Sequence, residues 1–125
     1  MTTVGFFQKI DNHPKVVFKL NLQNIHLTPA SSIVVVPFNM SDIEQYEKYN
    51  AVLGVIVYSL KEFIVVSKCK VKYAIADHAL SKQLQKCAEN YLYDTKVLAM
   101  IENEDEIEII ANDGIDGVIN KQLLN

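Results

Sequence analysis

The stretch IVVVPFNMSDIEQYEKYNAVLGVIVYSLKEFIVVSKCKVKYAIAD, Ile33 to Asp77, decides the fold. It holds the apolar runs Ile33 to Val36, Val52 to Tyr58 and Tyr73 to Ala76, with helix-like segments between them. Short, β-branched runs of this kind read as strands covered on both faces, and parallel strands need a helical crossover between them. VLAMI (Val97 to Ile101) and IDGVI (Ile115 to Ile119) continue the series, at a spacing of roughly 20 residues, one βα unit each. The pattern predicts a single α/β domain spanning residues 1–125, of Rossmann-like three-layer build, with a mainly parallel sheet of about five or six strands.

The segments between the runs carry helix-start chemistry. Ser41 with Glu44, Ser59 with Glu62 and Asn103 with Glu106 each place a capping side chain three residues before a glutamate, which satisfies backbone N–H groups that have no partner within the helix. Between Ser81 and Leu92, the residues Leu84, Cys87, Ala88 and Tyr91 recur at three- and four-residue spacing and make one apolar helical face. The helix after Asn103 is expected to turn Ile107, Ile110 and Ala111 inward and to stop at Asn112-Asp113-Gly114, where glycine takes the left-handed conformation. Pro37 ends the first run, because it cannot donate to a sheet ladder.

Residues 1–30 read differently from residues 31–125. Phe18, Leu20 and Leu22 alternate with Lys19, Asn21 and Gln23, and Asp11-Asn12-His13-Pro14 has turn composition after Val4 to Ile10. The local reading is a hairpin; the same residues could equally supply the first strand of the sheet.

Composition narrows the function classes. Of the 125 residues, 50% are hydrophobic and 22% charged, which is globular rather than disordered. A formal net charge of −3, with no basic cluster, argues against nucleic acid, whose binding rests on Lys and Arg neutralising phosphates. The longest apolar stretch, Ala51 to Tyr58, is far short of the roughly 20 residues that span a bilayer. The opening MTTVGFFQKIDNHP lacks the basic start and long apolar middle of a secretory signal, so a cytoplasmic location is expected. Cys69 and Cys87 lack metal-binding spacing and read as buried thiols.

From Lys72 to Leu124 the order of elements, with VLAMIEN and then NDGIDGVINKQLL, resembles the second half of a regulator of K⁺ conductance (RCK, or TrkA N-terminal) domain. Ile33 to Asp77 is similar to that family's second and third strands and following helix, so the likeness covers about three quarters of the chain. It implies a domain that binds nucleotides or ions, pairs with a second copy, and passes ligand occupancy to a potassium channel or transporter at the inner face of the membrane. The family's glycine-rich GxGxxG turn, which brings backbone up to a pyrophosphate, has no counterpart here, so a nucleotide would have to bind in another manner. Pro37-Phe38-Asn39 stands where an acidic residue would hold ribose hydroxyls, Tyr58-Ser59 replaces a Gly-Asp pair, and Met100 replaces the family's arginine.

Two other families share fragments of the pattern. A phosphoacceptor receiver would explain Asp77 and Lys121 but requires an acidic pair after the first strand, a Ser or Thr at Glu102 and a further helix after Lys121. A glycerophosphodiester phosphodiesterase barrel often ends in a pattern like Ile101 to Ile119 but needs eight βα units and a catalytic His with carboxylates.

Ligands in parallel sheets bind outside the carboxyl ends of the strands. The side chains placed there are Asn39, Ser59, Asp77, His78, Glu102 and Asn103, with Asn120 and Lys121 after the last run. Asp77 beside His78 has the composition of an acid–base pair, and with Glu102 that of a cation site. Each also has a structural reading: Asp77, Ser59 and Asn103 as helix caps, and the acidic run Glu102, Glu104, Asp105, Glu106 and Glu108 as a solvated helix start that complements the dipole. His13 and His26 have no ligand-like spacing. The expectation is a non-catalytic, ligand-sensing regulatory module of RCK type; the alternative is a small phosphoester- or nucleotide-directed enzyme using Asp77, His78 or Glu102, or an atypical receiver. A homodimer is expected, because apolar helix positions such as Phe63, Val66 and Tyr91 and the sheet edges need covering.

Overall fold

The computed structural model describes residues 1–7, 15–19, 24, 32–49 and 51–124. Strands β3 (Ile33–Pro37), β4 (Val52–Ile56), β5 (Tyr73–Ala76), β6 (Lys96–Ile101) and β7 (Gly117–Asn120) fall on the five apolar runs. Helices α1 (Met40–Glu47), α2 (Leu60–Val66), α3 (His78–Tyr91) and α4 (Ile107–Asn112) lie between them. Two short strands precede this series, β1 (Thr2–Val4) and β2 (Val16–Phe18).

All seven strands form one sheet in the order β1-β7-β6-β5-β4-β3-β2, and every pairing is parallel. The layered, parallel α/β architecture expected of the sequence is therefore the one the chain has, with seven strands in place of five or six. The difference comes from the N-terminal residues. β1 joins β7, with Thr2 opposite Gly117, and β2 joins β3, with Val16 opposite Ile33. The two strands lie at opposite ends of the order and do not form the hairpin of the local reading. The turn expected at Asp11 to Pro14, together with His13 and His26, lies outside the described residues.

Alternation along each strand splits the core in two. Val34, Val36, Leu53, Val55, Ala74, Ala76, Val97, Ala99 and Val118 pack with the helix residues Ile43, Tyr46, Phe63, Val66, Leu84, Ala88 and Ile110. The alternate positions, including Val4, Ile33, Val35, Ile56, Tyr73, Ile75, Leu98 and Ile119, form a second cluster with Leu124. Burial on both faces is why these strands read as continuous apolar runs. The four described helices pack on the first cluster, and the second lies on the other face of the sheet, which curls.

The terminal 3-10 turn, Lys121–Leu124, shows that curl directly. It follows β7 yet contacts β2, five strand positions away, which in a flat sheet is about 24 Å. Leu123 and Leu124 reach the same apolar cluster as Val16 and Phe18, bridging the two ends of the sheet. Strand order rises steadily from β2 to β7 without reversal, so the crevice that a doubly wound sheet opens at its switch point is missing from this order.

Capping follows the sequence with one shift. α2 and α3 start at Ser59 and Asp77 as expected, but α1 is capped by Asn39 instead of Ser41. Either residue is a good cap; packing of Ile43 and Tyr46 against the sheet sets the phase of the helix. α3 ends at Leu92 in the left-handed conformation, φ 54°, and Gly114, φ +72°, ends α4. Two inward assignments change: Tyr91 and Ala111 are exposed, whereas Ser81 and Gln85 are buried on α3.

Glu106 reaches back from the 3-10 turn Glu104–Glu106 and accepts from the backbone N–H groups of Glu102 and Asn103, at 3.0 and 3.1 Å. The Asn103 N–H bond, then the Glu102 one, holds its carboxyl below the usual range, and His78 adds to the effect. A depressed folded-state pKa gives stability that is fully present above the unfolded value near 4.5 and lost as pH falls through the folded pKa. Glu106→Gln is therefore expected to lower stability at pH 7 and to flatten the loss below pH ~4.5, as read by denaturant midpoints at stepped pH. An unchanged acid limb would show that the pairing is too weak to matter.

Candidate functional site

Because all strands are parallel, their carboxyl ends share one edge, and every candidate side chain after β3 to β7 stands along it. Asn39 caps α1, its Oδ1 accepting from the Asp42 N–H at 3.1 Å. Ser59 Oγ accepts from Glu62 N–H at 3.2 Å, and Glu62 in turn accepts from Tyr58 N–H at 2.9 Å. Asp77 Oδ1 accepts from Leu80 N–H at 2.8 Å. Asn103 stands at the N-cap of the 3-10 turn. Glu102 is exposed, 3.9 Å from the Lys121 ammonium, and Asn120 Nδ2 donates to the Gly5 carbonyl at 3.2 Å.

The Asp77–His78 pair does not assemble. Asp77 is committed to its cap, and His78 Nε2 lies 2.5 Å from Asp113 Oδ2, beyond the end of α4, with Lys82 at 3.9 Å from the same carboxylate. His78 thus ties α3 to α4 on the helical layer. Among the described residues no group of three or more His, Cys, Asp or Glu is placed to hold a metal ion. Asp77, His78 and Glu102 are not brought together.

One candidate does border a cavity. At the carboxyl ends of β2 and β3, Asn39 joins Lys19, Pro37, Phe38, Asp42 and Tyr46 around a space of about 380 Å³, which lies in the lower part of the roughly 300–1,000 Å³ range of small-molecule sites. β2 ends at Phe18, and Lys19 adopts φ 53° while its N–H still donates to Val35 O at 2.8 Å. The turn brings Lys19 beside the start of α1. Burial, reinforced by Asp42, raises the Tyr46 phenol above its ordinary value, so it stays neutral at physiological pH.

A larger space, about 510 Å³, opens at the opposite edge beside Cys69, Lys70, Tyr93 and Thr95. Its polar groups already serve the fold: Thr95 Oγ1 donates to Val71 O at 2.9 Å, and Glu47 accepts from Lys70 N–H at 2.8 Å. The Cys69 thiol donates to Val65 O at 3.6 Å, and burial, with Glu47 and Glu44, pushes its pKa up, away from nucleophilic character. The smaller cavity, at the carboxyl edge, is the better candidate.

Sequence reading missed a polar group with several partners. Asp116, just before β7, accepts from Val97 N–H at 2.9 Å and from Gln85 Nε2 at 3.2 Å, while its own N–H donates to Gln85 Oε1 at 2.9 Å. The available signal was Gln85 itself, a polar residue within the Ser81, Leu84, Gln85 and Ala88 stripe of α3. Lys19 and Tyr46 were also missed, because nothing local joins a residue after β2 to one in α1.

No helix among the described residues is long and apolar enough to cross a membrane. Compared with known proteins, the chain matches no protein-family model and no curated sequence.

Proposed function

We propose that the chain is a non-catalytic, ligand-sensing regulatory module, similar in role to the RCK domains that its sequence resembles. The observation that carries this reading is the cavity at the carboxyl ends of β2 and β3, walled by Lys19, Phe38, Asn39 and Tyr46. Of the side chains an enzyme reading would use, Asp77 caps α3 and His78 is hydrogen-bonded to Asp113, while Glu102 stands apart from both, exposed and 3.9 Å from the Lys121 ammonium. A ligand in the cavity bridges β2, at one end of the sheet, to α1, so occupancy is coupled to the order of that end of the sheet.

The proposal includes a homodimer in the cytoplasm that passes this signal to a potassium channel or transporter. Phe63 and Val66, expected to need a partner, are buried within the chain's own core. Leu60, Tyr91 and Leu92 remain exposed at 39%, 69% and 85% on α2 and the end of α3, and supply the pairing face.

The test is a melting-temperature screen against nucleotides, amino acids and small organic acids, repeated on Lys19→Glu. A ligand at a hundred times its Kd stabilises by about 2.7 kcal/mol, and the shift is expected to vanish in the variant. A ligand whose shift survives Lys19→Glu, or turnover of any compound in the panel, would replace this reading.

A further inference from the structure

We infer that the ligand is a zwitterion of the α-amino acid class with an apolar side chain, an inference that rests on the sensing role proposed for the β2–α1 cavity. Among the described residues its walls carry one cation, Lys19, whose ammonium lies 5.2 Å from the centre of the Phe18 ring, and one anion, Asp42. The ion pairs of the described residues do not join these two to each other. A ligand bearing both signs satisfies both groups, whereas an uncompensated charge brought against either leaves the other unmatched.

Charge balance also ranks the rivals. A nucleotide phosphate would meet a single ammonium with a carboxylate close by, in a chain of net charge −3 that has no glycine-rich loop. A carboxylate needs less: Lys19 supplies the counter-charge, and Asn39, whose Oδ1 is already bonded to Asp42 N–H, has its Nδ2 left as a donor. Asp42 then accepts from the ligand's ammonium.

The remaining walls set the side chain. Val36, Pro37 and Phe38 contribute apolar surface, and the neutral Tyr46 ring lies behind them. A space of about 380 Å³ suits a molecule the size of leucine or phenylalanine. It gives little room for a dinucleotide.

Calorimetric titration of the full chain with L-phenylalanine, phenylpropionate, phenethylamine and AMP tests this directly. Phenylalanine is expected to bind, with phenylpropionate and phenethylamine each at least about tenfold weaker, since each loses one charged hydrogen bond. Lys19→Gln should erase the preference for phenylalanine over phenethylamine, and Asp42→Asn the preference over phenylpropionate. Equal binding of all three aromatic compounds, or binding of AMP alone through Lys19, would overturn the amino-acid inference and leave the sensing role standing. Binding of none of the four, with the folded state verified by circular dichroism and no ligand found in the wider panel, would remove both.

Discussion

Replacing Asp116 with alanine is expected to destabilise the fold by about 3 kcal/mol, lowering the melting temperature by roughly 10 °C. The residue joins three elements, two of them through its carboxylate. It accepts from Val97 N–H at the start of β6 and from Gln85 on α3, and its backbone carbonyl accepts from Thr2 N–H of β1 at 3.0 Å. The alanine leaves the Val97 N–H and the buried Gln85 amide without their partners, and a buried group stripped of its partner costs more than the bond was worth. Asp116→Asn keeps one good acceptor and should lose less than half as much. Equal losses for the two variants would show that charge, not geometry, holds the network, and no loss in either would show that solvent replaces the bonds.

Gly117→Ala is expected to cost about 3 kcal/mol by overpacking, chiefly by prising β1 from the sheet. A Cβ at this position would run into the Thr2 carbonyl oxygen and would sit 2.8 Å from Leu98 Cδ2 and 2.9 Å from Thr2 Cβ. The leucine tip can move, but the Thr2 carbonyl belongs to the strand paired with β7. Hydrogen exchange should therefore show amides of β1 losing protection while α1 and β4 keep theirs. Protection retained at β1, with normal stability, would mean that the close approach of β1 and β7 is wrong.

These two positions are neighbours in sequence, and neither effect is legible there. Asp116-Gly117 reads as an ordinary polar-glycine pair inside an apolar run. Only the parallel pairing of β1 with β7 makes the glycine a contact point, and only the approach of α3 makes the aspartate a junction.

The sequence by itself determined the elements whose information is local: the strands β3 to β7, the amphipathic stripe of α3, the caps at Ser59 and Asp77, and the stop at Gly114. Such features follow from side-chain periodicity and from backbone groups that must be satisfied within a few residues. The tertiary structure decided the rest. β1 and β2 are three residues each, too short to carry a period, and their partners β7 and β3 are chosen by the curl of the sheet. Asp77 and His78, adjacent in the chain, are separated in function because a helix start turns one toward its own backbone and the other toward Asp113. The cavity arises in the same way: Lys19 and Tyr46 line one space only because parallel pairing sets the end of β2 beside β3 and the helix that follows it.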